Sequence, residues 1–345
     1  PDLSLANARK ATLEANELLA QSIDPQEERK HQQQESLAVH QHTFGNVAKK
    51  WFEIKKDDIT ADYAVDIWRS LELYVFPSIS KVPVSAITAP QIIELLKPIE
   101  AKGSLETVKR LSQRLNEIMN FATNCGFIQA NPLVGIKAAF KKPKKENMAA
   151  LKPAELPELM GAIANASIKR TTRCLIEWQL HTMTRPSEAS GAMWKEIDIE
   201  SKVWTIPSER MKKRRDQRIP LTDQMLAILE VMKPISGHRE FVFPSDRDPK
   251  KPCNSQTANM ALKRMGFAGR LVSHGLRSLA STTLNEQGFD RDLIEAALAH
   301  VDDNQVRSAY NRTDYLERRR PMMNWWNSKI KEASEGSLSV TEALF

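Results

Sequence analysis

Cysteine and long apolar runs are what this sequence has least of. Three cysteines occur in 345 residues, Cys125, Cys174 and Cys253, and they lie far apart with no Cys-x-x-Cys pair. An odd, sparse set of this kind is typical of reduced thiols in an intracellular protein, so we expect neither a disulfide framework nor a zinc site. No apolar run approaches the roughly 20 residues that cross a bilayer, so we expect no membrane partner.

Motifs for nucleotide and metal chemistry are missing as well. The chain has no G-x-x-x-x-G-K-[ST] phosphate loop and no paired carboxylates suited to two-metal catalysis. The histidines outside the motifs discussed below form no set of metal ligands; these are His31, His40, His42, His181 and His238. The sequence therefore predicts neither a metal nor an organic cofactor.

Length and charge favour two domains and an anionic partner. A chain of 345 residues exceeds the usual size of a single domain. Lys and Arg number 50 against 43 Asp and Glu, which gives a net charge of +7. This mild excess favours a polyanion only weakly, so the placement of the basic residues says more than their sum.

The spacing of apolar residues divides the chain into five segments. Residues 1–42 contain a helical stretch and a polar linker, and since the chain opens at a proline within this stretch, we expect an N-terminal part to be missing. Residues 43–139 predict a helical domain and 140–148 a basic linker. A second domain follows over 149–331, and 332–345 form a polar tail with an apolar end.

Capping residues place the helices of the first domain. Apolar residues from position 44 to Ile54 recur at helical spacing. Thr88 is expected to cap a helix that stops at Gly103, and Ser104 to cap the next, which stops at Gly126. The second domain is predicted to have helices at 153–165, 170–183, 222–233, 255–265, 276–287, 290–299, 303–310 and 315–331, with strands at 202–206, 217–219 and 241–243. The fold class is therefore mainly α with a small β-sheet.

Basic residues cluster at three places. For each cluster there are two interpretations, contact with phosphate and simple solvation. Lys109, Arg110 and Arg114 lie off the apolar face of a predicted helix. The linker carries Lys141, Lys142, Lys144 and Lys145, and the turn at 208–218 carries Arg210, Lys213, Arg214 and Arg215 beside Lys212. Like charges this close repel unless they are solvated or lie against phosphates.

Six residues of the second domain together form a complete set for cutting a phosphodiester without a metal. A tyrosine can attack the phosphorus, guanidinium groups can bind two phosphate oxygens at once, and lysine or histidine can move protons. Arg185 has Glu188 at i+3, where the carboxylate can orient it, and His274 and Arg277 share one helix face. The six residues are Arg185, Lys212, His274, Arg277, His300 and Tyr310.

The order and spacing of these six residues resemble the catalytic domain of the tyrosine recombinases, the phage-integrase family. The stretches AHVDDNQVRSAYNR and YLERRRPMMNWW look particularly like integrases of prophages and genomic islands. The resemblance implies a helical core-binding, SAM-like domain at 43–139 and an α/β catalytic domain at 149–331. It also implies that residues 1–42 end a missing domain that binds arm-type DNA sites.

The resemblance assigns a role to each residue. It makes Tyr310 the nucleophile, with Tyr315 as the rival, and Lys212, counted back from Pro220, the general acid, with Lys213 as the alternative. Arg185 and Arg277 are expected to hold the scissile phosphate. His274 is expected to assist proton transfer, and His300 to donate a hydrogen bond to a non-bridging oxygen.

The function implied is site-specific DNA recombination through a 3′-phosphotyrosine intermediate, without ATP or metal. The expected partners are double-stranded DNA carrying an attachment core, a homotetramer on two duplexes, and host DNA-bending and directionality factors. The expected location is the bacterial cytoplasm, at the nucleoid. Two rival hypotheses remain at this point: a topoisomerase that nicks and closes DNA by the same chemistry, and a basic DNA-binding protein whose catalytic site is unused.

Overall fold

The chain divides into two compact units in the computed structural model, Pro1–Lys145 and Glu146–Phe345. The structure describes residues 4–20, 24–27, 42–144, 147–211, 214–300 and 314–334. The predicted helix at 303–310 lies outside these residues. Among the residues described, no helix is both long and apolar enough to cross a membrane.

The first unit is helical. Its helices are α1 (Leu5–Ala20), α2 (Phe44–Lys55), α3 (Ala61–Tyr74), the single turn α4 (Phe76–Ile79), α5 (Ala89–Ala101) and α6 (Leu105–Asn124). Helices α2 to α6 share one core, in which the stripe of α6 predicted from the sequence is buried. Burying such a stripe removes apolar surface from water, which is the main contribution to the stability of a helical domain.

The capping signals of the first unit are largely confirmed. The Thr88 side chain accepts a hydrogen bond from the backbone nitrogen of Gln91 at 3.4 Å. Gly103 and Gly126 end their helices with φ of +77° and +74°, which glycine adopts without a Cβ clash. Ser104 begins α6 but makes no side-chain cap, and Ile54 lies in α2 at the predicted helical spacing but is 63% exposed.

The second unit combines a helical core with a small sheet, which confirms the predicted fold class. Its helices are α7 (Leu156–Asn165), α8 (Arg170–Thr182), α9 (Pro186–Ser190), α10 (Asp223–Ser236), α11 (Thr257–Leu262), α12 (Gly275–Glu286), α13 (Arg291–Ala297) and α14 (Leu316–Ala333). The strands are β1 (Ile197–Asp198), β2 (Val203–Ile206) and β3 (Gln217–Pro220). They form an antiparallel sheet in the order β1-β2-β3.

The register of β2 and β3 places the basic turn at one end of the sheet. Val203 pairs with Pro220 and Ile206 with Gln217, so residues 207–216 connect the two strands as a long hairpin loop. The loop is closed at its base, where Asp216 Oδ1 accepts a hydrogen bond from the backbone nitrogen of Ser208 at 2.8 Å. Met211 is buried beneath the loop, and this anchors it on the core.

One prediction for the second unit was wrong, and one was right only in part. Residues 241–243 form no strand, although Phe241 makes an isolated bridge to Met193; their apolar side chains are buried because the segment crosses the core. A buried apolar triplet fits a core-crossing segment as well as a strand. The helix predicted at 255–265 starts at Thr257 and ends in a π-type turn over Lys263–Phe267, where Gly266 has φ +94°.

A buried polar cluster joins three helices of the second unit. His181 on α8 is fully buried and its Nδ1 hydrogen-bonds Asn327 Oδ1 on α14, which also accepts from Thr222 Oγ1 at the start of α10. Because the Asn327 oxygen is an acceptor, His181 must carry its proton on Nδ1. Burial lowers the pKa of His181 from 6.5 to about 4, so the folded protein holds it neutral.

His181 should therefore make the second unit sensitive to acid. The unfolded chain takes up a proton at this histidine below about pH 6.5, whereas the folded chain does so only near pH 4, so stability falls as pH falls through this window. Between these two pH values we expect the free energy of unfolding to fall by about 1.4 kcal/mol for each pH unit. In His181→Gln this part of the pH slope should disappear, as measured by urea unfolding between pH 7 and pH 4.5. The control His238→Gln, at an exposed histidine, should keep the wild-type dependence of stability on pH. If the pH dependence of His181→Gln were the same as that of the wild type, this account would be refuted.

Candidate active site

Two arginines and two histidines of the predicted set converge on a pair of turns in the second unit. Arg185 begins α9, His274 begins α12 with Arg277 in its first turn, and His300 follows α13. The turns that end α8 and α13 each contain a non-glycine residue in the left-handed region, Met183 at φ +55° and Ala299 at φ +50°. Such a backbone persists only when its surroundings hold it in place, and here the arginines do so.

Arg277 joins the two turns to each other. Its Nη1 donates to the carbonyl oxygen of Met183 at 2.6 Å, and its Nη2 donates to the carbonyl oxygen of Leu298. The side chain is buried, with 3% of the residue exposed. Burial, followed by the nearby Arg185, lowers the pKa of Arg277 to about 10, so its guanidinium is still charged at neutral pH.

Arg185 is held by a carboxylate and crosses to the same turn. Its Nη1 lies 2.7 Å from Glu188 Oε1, and its backbone nitrogen donates to Glu188 Oε2 at 2.8 Å, as the i+3 spacing suggested. Its Nη2 donates to the carbonyl oxygen of Ala299 at 3.3 Å. The Glu188 side chain is 3% exposed, so one buried negative charge faces two adjacent guanidinium groups.

The two histidines face these arginines. His274 is half-buried, and its pKa is lowered, first by burial and then by the positive charges of Arg277 and Arg185. A histidine in this state is neutral at pH 7 and able to accept a proton. His300 Nε2 lies 3.4 Å from Arg277 Nη2, and its Nδ1 lies 2.7 Å from Glu295 Oε2.

Lys212, Lys213 and Tyr310 lie outside the described residues. The structure does describe residues close to them in the sequence. Lys212 belongs to the hairpin loop between β2 and β3. Tyr310 lies between His300 and Asp314, and Asp314 forms a bidentate ion pair with Arg218 of β3, at 2.7 Å from Nε and 3.0 Å from Nη2. The rival tyrosine, Tyr315, is half-buried and packs on the core of the unit.

The three consecutive arginines of α14 each contact another part of the second unit. Arg319 is buried and donates to the carbonyl oxygen of Arg218, and burial lowers its pKa to about 10. Arg320 donates to the carbonyl oxygens of Ser201 and Lys202 in the β1–β2 turn. Arg318 pairs with Asp290 at 3.0 Å. Three consecutive arginines are thus engaged within the unit, although only Arg319 is buried and the Arg318–Asp290 pair is exposed.

Arg210 differs from its sequence-based assignment as a phosphate contact. Its Nη1 pairs with Glu196 and its Nη2 donates to the carbonyl oxygen of Glu188 at 2.9 Å. The Arg210 and Glu196 side chains are 19% and 4% exposed. The guanidinium lies close to Gly191, where an added Cβ would come within 2.7 Å of Nη2. Arg210 therefore supports the turn that carries Arg185, because a buried carboxylate needs a partner.

Most of the other predicted DNA contacts that the structure describes are exposed, whereas Arg114 is half-buried. Arg214 and Arg215 in the hairpin loop are exposed, as are Lys141, Lys142 and Lys144 in the linker; Lys145 lies outside the described residues. On α6, Lys109 and Arg110 both pair with Glu106. Arg114 donates to Ser70 Oγ and lies over the Tyr63 ring at 5.9 Å.

Sequence reasoning missed the two carboxylates that flank the site. Glu295 contacts His300 across the end of α13, and Asp314 contacts Arg218 from a distant part of the chain. A spacing of five residues across a helix end is not a recognised pairing signal, and long-range pairs leave no local pattern. Within the described ranges, no group of three or more His, Cys, Asp or Glu side chains is placed to hold a metal ion.

Comparison with solved structures shows an integrase fold. Lambda integrase, as a dimer bound to a COC′ core site, matches with a TM-score of 0.63 at 21% identity over 76% of this chain and 96% of that chain. The Tn1549 transposon integrase in complex with circular intermediate DNA matches with a TM-score of 0.61 at 15% identity over 81% of this chain and 99% of that chain.

Sequence comparison gives the family. Residues 149–317 match the phage integrase family model, and residues 44–139 match that of the phage integrase central domain. Prophage integrase IntA of Escherichia coli (strain K12) is 54% identical over 99% of this chain and 83% of its own length. The integrase of Enterobacteria phage P4 is 32% identical over 94% of this chain and 77% of its own length.

The chain belongs to the phage integrase family. It is an enzyme, a site-specific recombinase of the tyrosine type, which confirms the fold and function that the resemblance implied. The comparisons support neither of the two rival hypotheses, the topoisomerase or the DNA-binding protein with an unused catalytic site.

The inward orientation of Arg210 can be tested by its effect on stability. Arg210→Met should lower the free energy of unfolding by about 3 kcal/mol, because it leaves the buried Glu196 carboxylate without its partner. Arg215→Met, which removes an exposed charge from the same loop, should change it by less than about 0.5 kcal/mol. Urea unfolding of both variants measures the difference. Equal stabilities would mean that Arg210 is not held by Glu196 in solution.

Proposed function

We propose that this enzyme recombines DNA at an attachment core by transferring a strand to Tyr310 and then to a partner strand. The observation that carries the proposal is the convergence of Arg185, Arg277 and His300 on two adjoining turns, with His274 close enough for the charges of both arginines to lower its pKa. Four side chains from three separate stretches of the sequence meet there, two of them permanent cations. A phosphodiester is the group that such an arrangement suits best.

The two guanidinium groups would hold the scissile phosphate. Attack on phosphorus gives a crowded, five-coordinate transition state with additional negative charge on its oxygens. Arg185 and Arg277 are fixed before any substrate binds, so they stabilise this charge without a reorganisation cost. Their internal hydrogen bonds to carbonyl oxygens use only part of the five N–H groups of each guanidinium, which leaves donors for phosphate.

Proton transfer would be divided among the remaining groups. The Tyr310 oxygen forms a bond to phosphorus while the bond to the 5′ oxygen breaks, which leaves a 3′-phosphotyrosine link and a free 5′ hydroxyl. His274, neutral and half-buried, is the group suited to accept the phenolic proton, and Lys212 supplies a proton to the leaving oxygen. In the second step a 5′ hydroxyl from the partner duplex attacks the link, and the same groups act in reverse.

The residues around Tyr310 support its role as nucleophile. Tyr310 is four residues from Asp314 in the sequence, and the ion pair with Arg218 fixes Asp314 on β3. Ten residues separate it from His300 at the other end. Tyr315, in contrast, packs on the core, and the Arg318 guanidinium lies over its ring at 5.1 Å.

Double-stranded DNA would be the substrate, contacted through the exposed basic residues of the hairpin loop, the linker and α6. Lambda integrase forms a tetramer bound to a Holliday junction, and we propose the same stoichiometry here, with four protomers on two duplexes. Prophage or genomic-island DNA in the bacterial cytoplasm, at the nucleoid, would be the target, with host DNA-bending and directionality factors assisting.

The nucleophile can be tested with nicked DNA that traps the covalent intermediate. Tyr310→Phe should form no covalent adduct on a denaturing gel, because it lacks the attacking oxygen, yet should bind the attachment core as the wild type does. Tyr315→Phe is the matched control and should retain adduct formation. An active Tyr310→Phe, or an inactive Tyr315→Phe that still binds DNA, would overturn the assignment.

The general acid can be tested by changing the leaving group. Lys212→Ala should slow cleavage of ordinary DNA by about 10²- to 10⁴-fold, the usual contribution of a positioned acid. A 5′-bridging sulfur at the scissile phosphate leaves without protonation, so Lys212→Ala should regain its rate on that substrate. Lys213→Ala should be slowed on neither substrate. If Lys213→Ala were instead slow on ordinary DNA and regained its rate on the sulfur substrate, Lys213 would be the general acid.

A further inference from the structure

We propose that Glu295 is a positioning residue of the active site, which fixes the ring orientation and tautomer of His300. The inference rests on the proposed function, in that His300 is taken to face the scissile phosphate. It concerns a carboxylate that contacts Nδ1 of His300, whereas Arg277 lies beside Nε2 on the other side of the ring.

Glu295 and His300 are joined by two hydrogen bonds. The carboxylate Oε2 lies 2.7 Å from His300 Nδ1, and the backbone nitrogen of His300 donates to the carbonyl oxygen of Glu295 at 3.0 Å. The backbone bond closes the end of α13, where Ala299 takes its left-handed conformation. The same helix end therefore fixes both the Cα position of His300 and the direction of its ring.

The neighbours of His300 determine which ring nitrogen carries the proton. Arg277 Nη2 lies 3.4 Å from His300 Nε2, and a guanidinium group can only donate. The Glu295 carboxylate, at 2.7 Å from Nδ1, can only accept, so in the neutral ring the proton is on Nδ1 and is donated to Glu295; the 3.4 Å contact of Nε2 with Arg277 agrees with this but is too long to enforce it alone. Carboxylates behind histidines set the tautomer in this way at many functional sites.

This arrangement has a consequence once a phosphate oxygen approaches Nε2. His300 can donate to that oxygen while it donates to Glu295 only as an imidazolium, with both ring nitrogens protonated. Arg277, Arg185 and His274 face it from the other elements of the site, and Glu188 lies behind Arg185. Glu295 is the carboxylate in direct contact with the ring, and thus the local counter-charge for that form.

The exposure of the pair makes the proposal testable without unfolding the protein. The His300 and Glu295 side chains are 46% and 42% exposed. Exposed ion pairs contribute little to folding stability. Loss of Glu295 should therefore act on the site and leave the fold intact, which circular dichroism and thermal unfolding of each variant can verify.

The first readout is the tautomer of His300. Selective ¹⁵N-histidine labelling of the intact chain, with His300 assigned by comparison with His300→Gln, should show Nδ1 protonated and Nε2 bare in the neutral ring of the wild type. In Glu295→Ala the Nε2-protonated form should become populated. Glu295→Asp should retain the wild-type pattern in part, and Glu286→Gln, an exposed carboxylate on α12, should retain it fully. An unchanged pattern in Glu295→Ala would overturn the proposal.

The second readout is the rate of adduct formation at saturating nicked DNA. Glu295→Ala should lower this rate by about 10- to 100-fold, the effect typical of removing the partner that orients a site histidine, with DNA affinity unchanged. An unaltered rate would overturn the proposal even if Tyr310→Phe is inactive as expected. If the wild type itself formed no adduct on its attachment core, the proposed function would fail, while the tautomer measurement would still decide the role of Glu295.

Discussion

The architecture of the active site depends on one buried guanidinium. Arg277 binds the carbonyl oxygens of Met183 and Leu298, and so joins the end of α8 to the end of α13. Both turns contain left-handed residues that cost free energy by themselves. Without this cation the two turns would keep the longer bond from Arg185 Nη2 to the carbonyl oxygen of Ala299 but would lose both bonds of Arg277, so Arg185 and His300 would be less firmly placed relative to each other. The residue proposed to bind phosphate is thus also the residue that assembles its own site.

The same use of arginine recurs around the site. Arg210 pairs with Glu196 behind the turn of Arg185, and Arg319 is buried against β3, close to the Arg218–Asp314 ion pair. A recombinase needs positive charge at the phosphate, and each such charge raises the cost of placing the next one nearby. Buried carboxylates and backbone carbonyl oxygens offset that cost. The basic residues therefore divide into those that support the site from inside and those that remain exposed, for which contact with DNA is proposed.

The sequence was most informative where a feature is local. The caps at Thr88 and Gly103 and the apolar stripe of α6 follow from helix geometry, and Arg185 with Glu188 follows from the i+3 rule. Arg210 could not be separated from Arg214 and Arg215 by the sequence, because the direction of a side chain in a loop depends on long-range partners. Glu295 was missed for the same reason. The buried run at 241–243 was mistaken for a strand, since burial alone does not specify backbone pairing.

The central claim is that the paired guanidinium groups act by neutralising the charge of the scissile phosphate. It is tested most directly with a methylphosphonate at that position, in which a methyl group replaces one non-bridging oxygen and removes the negative charge. Arg185→Gln, whose amide can still donate to Glu188, should form adduct very slowly on ordinary DNA and much faster on the methylphosphonate. Equally slow adduct formation on both substrates, with DNA binding intact, would contradict the account and restrict Arg185 to a structural role.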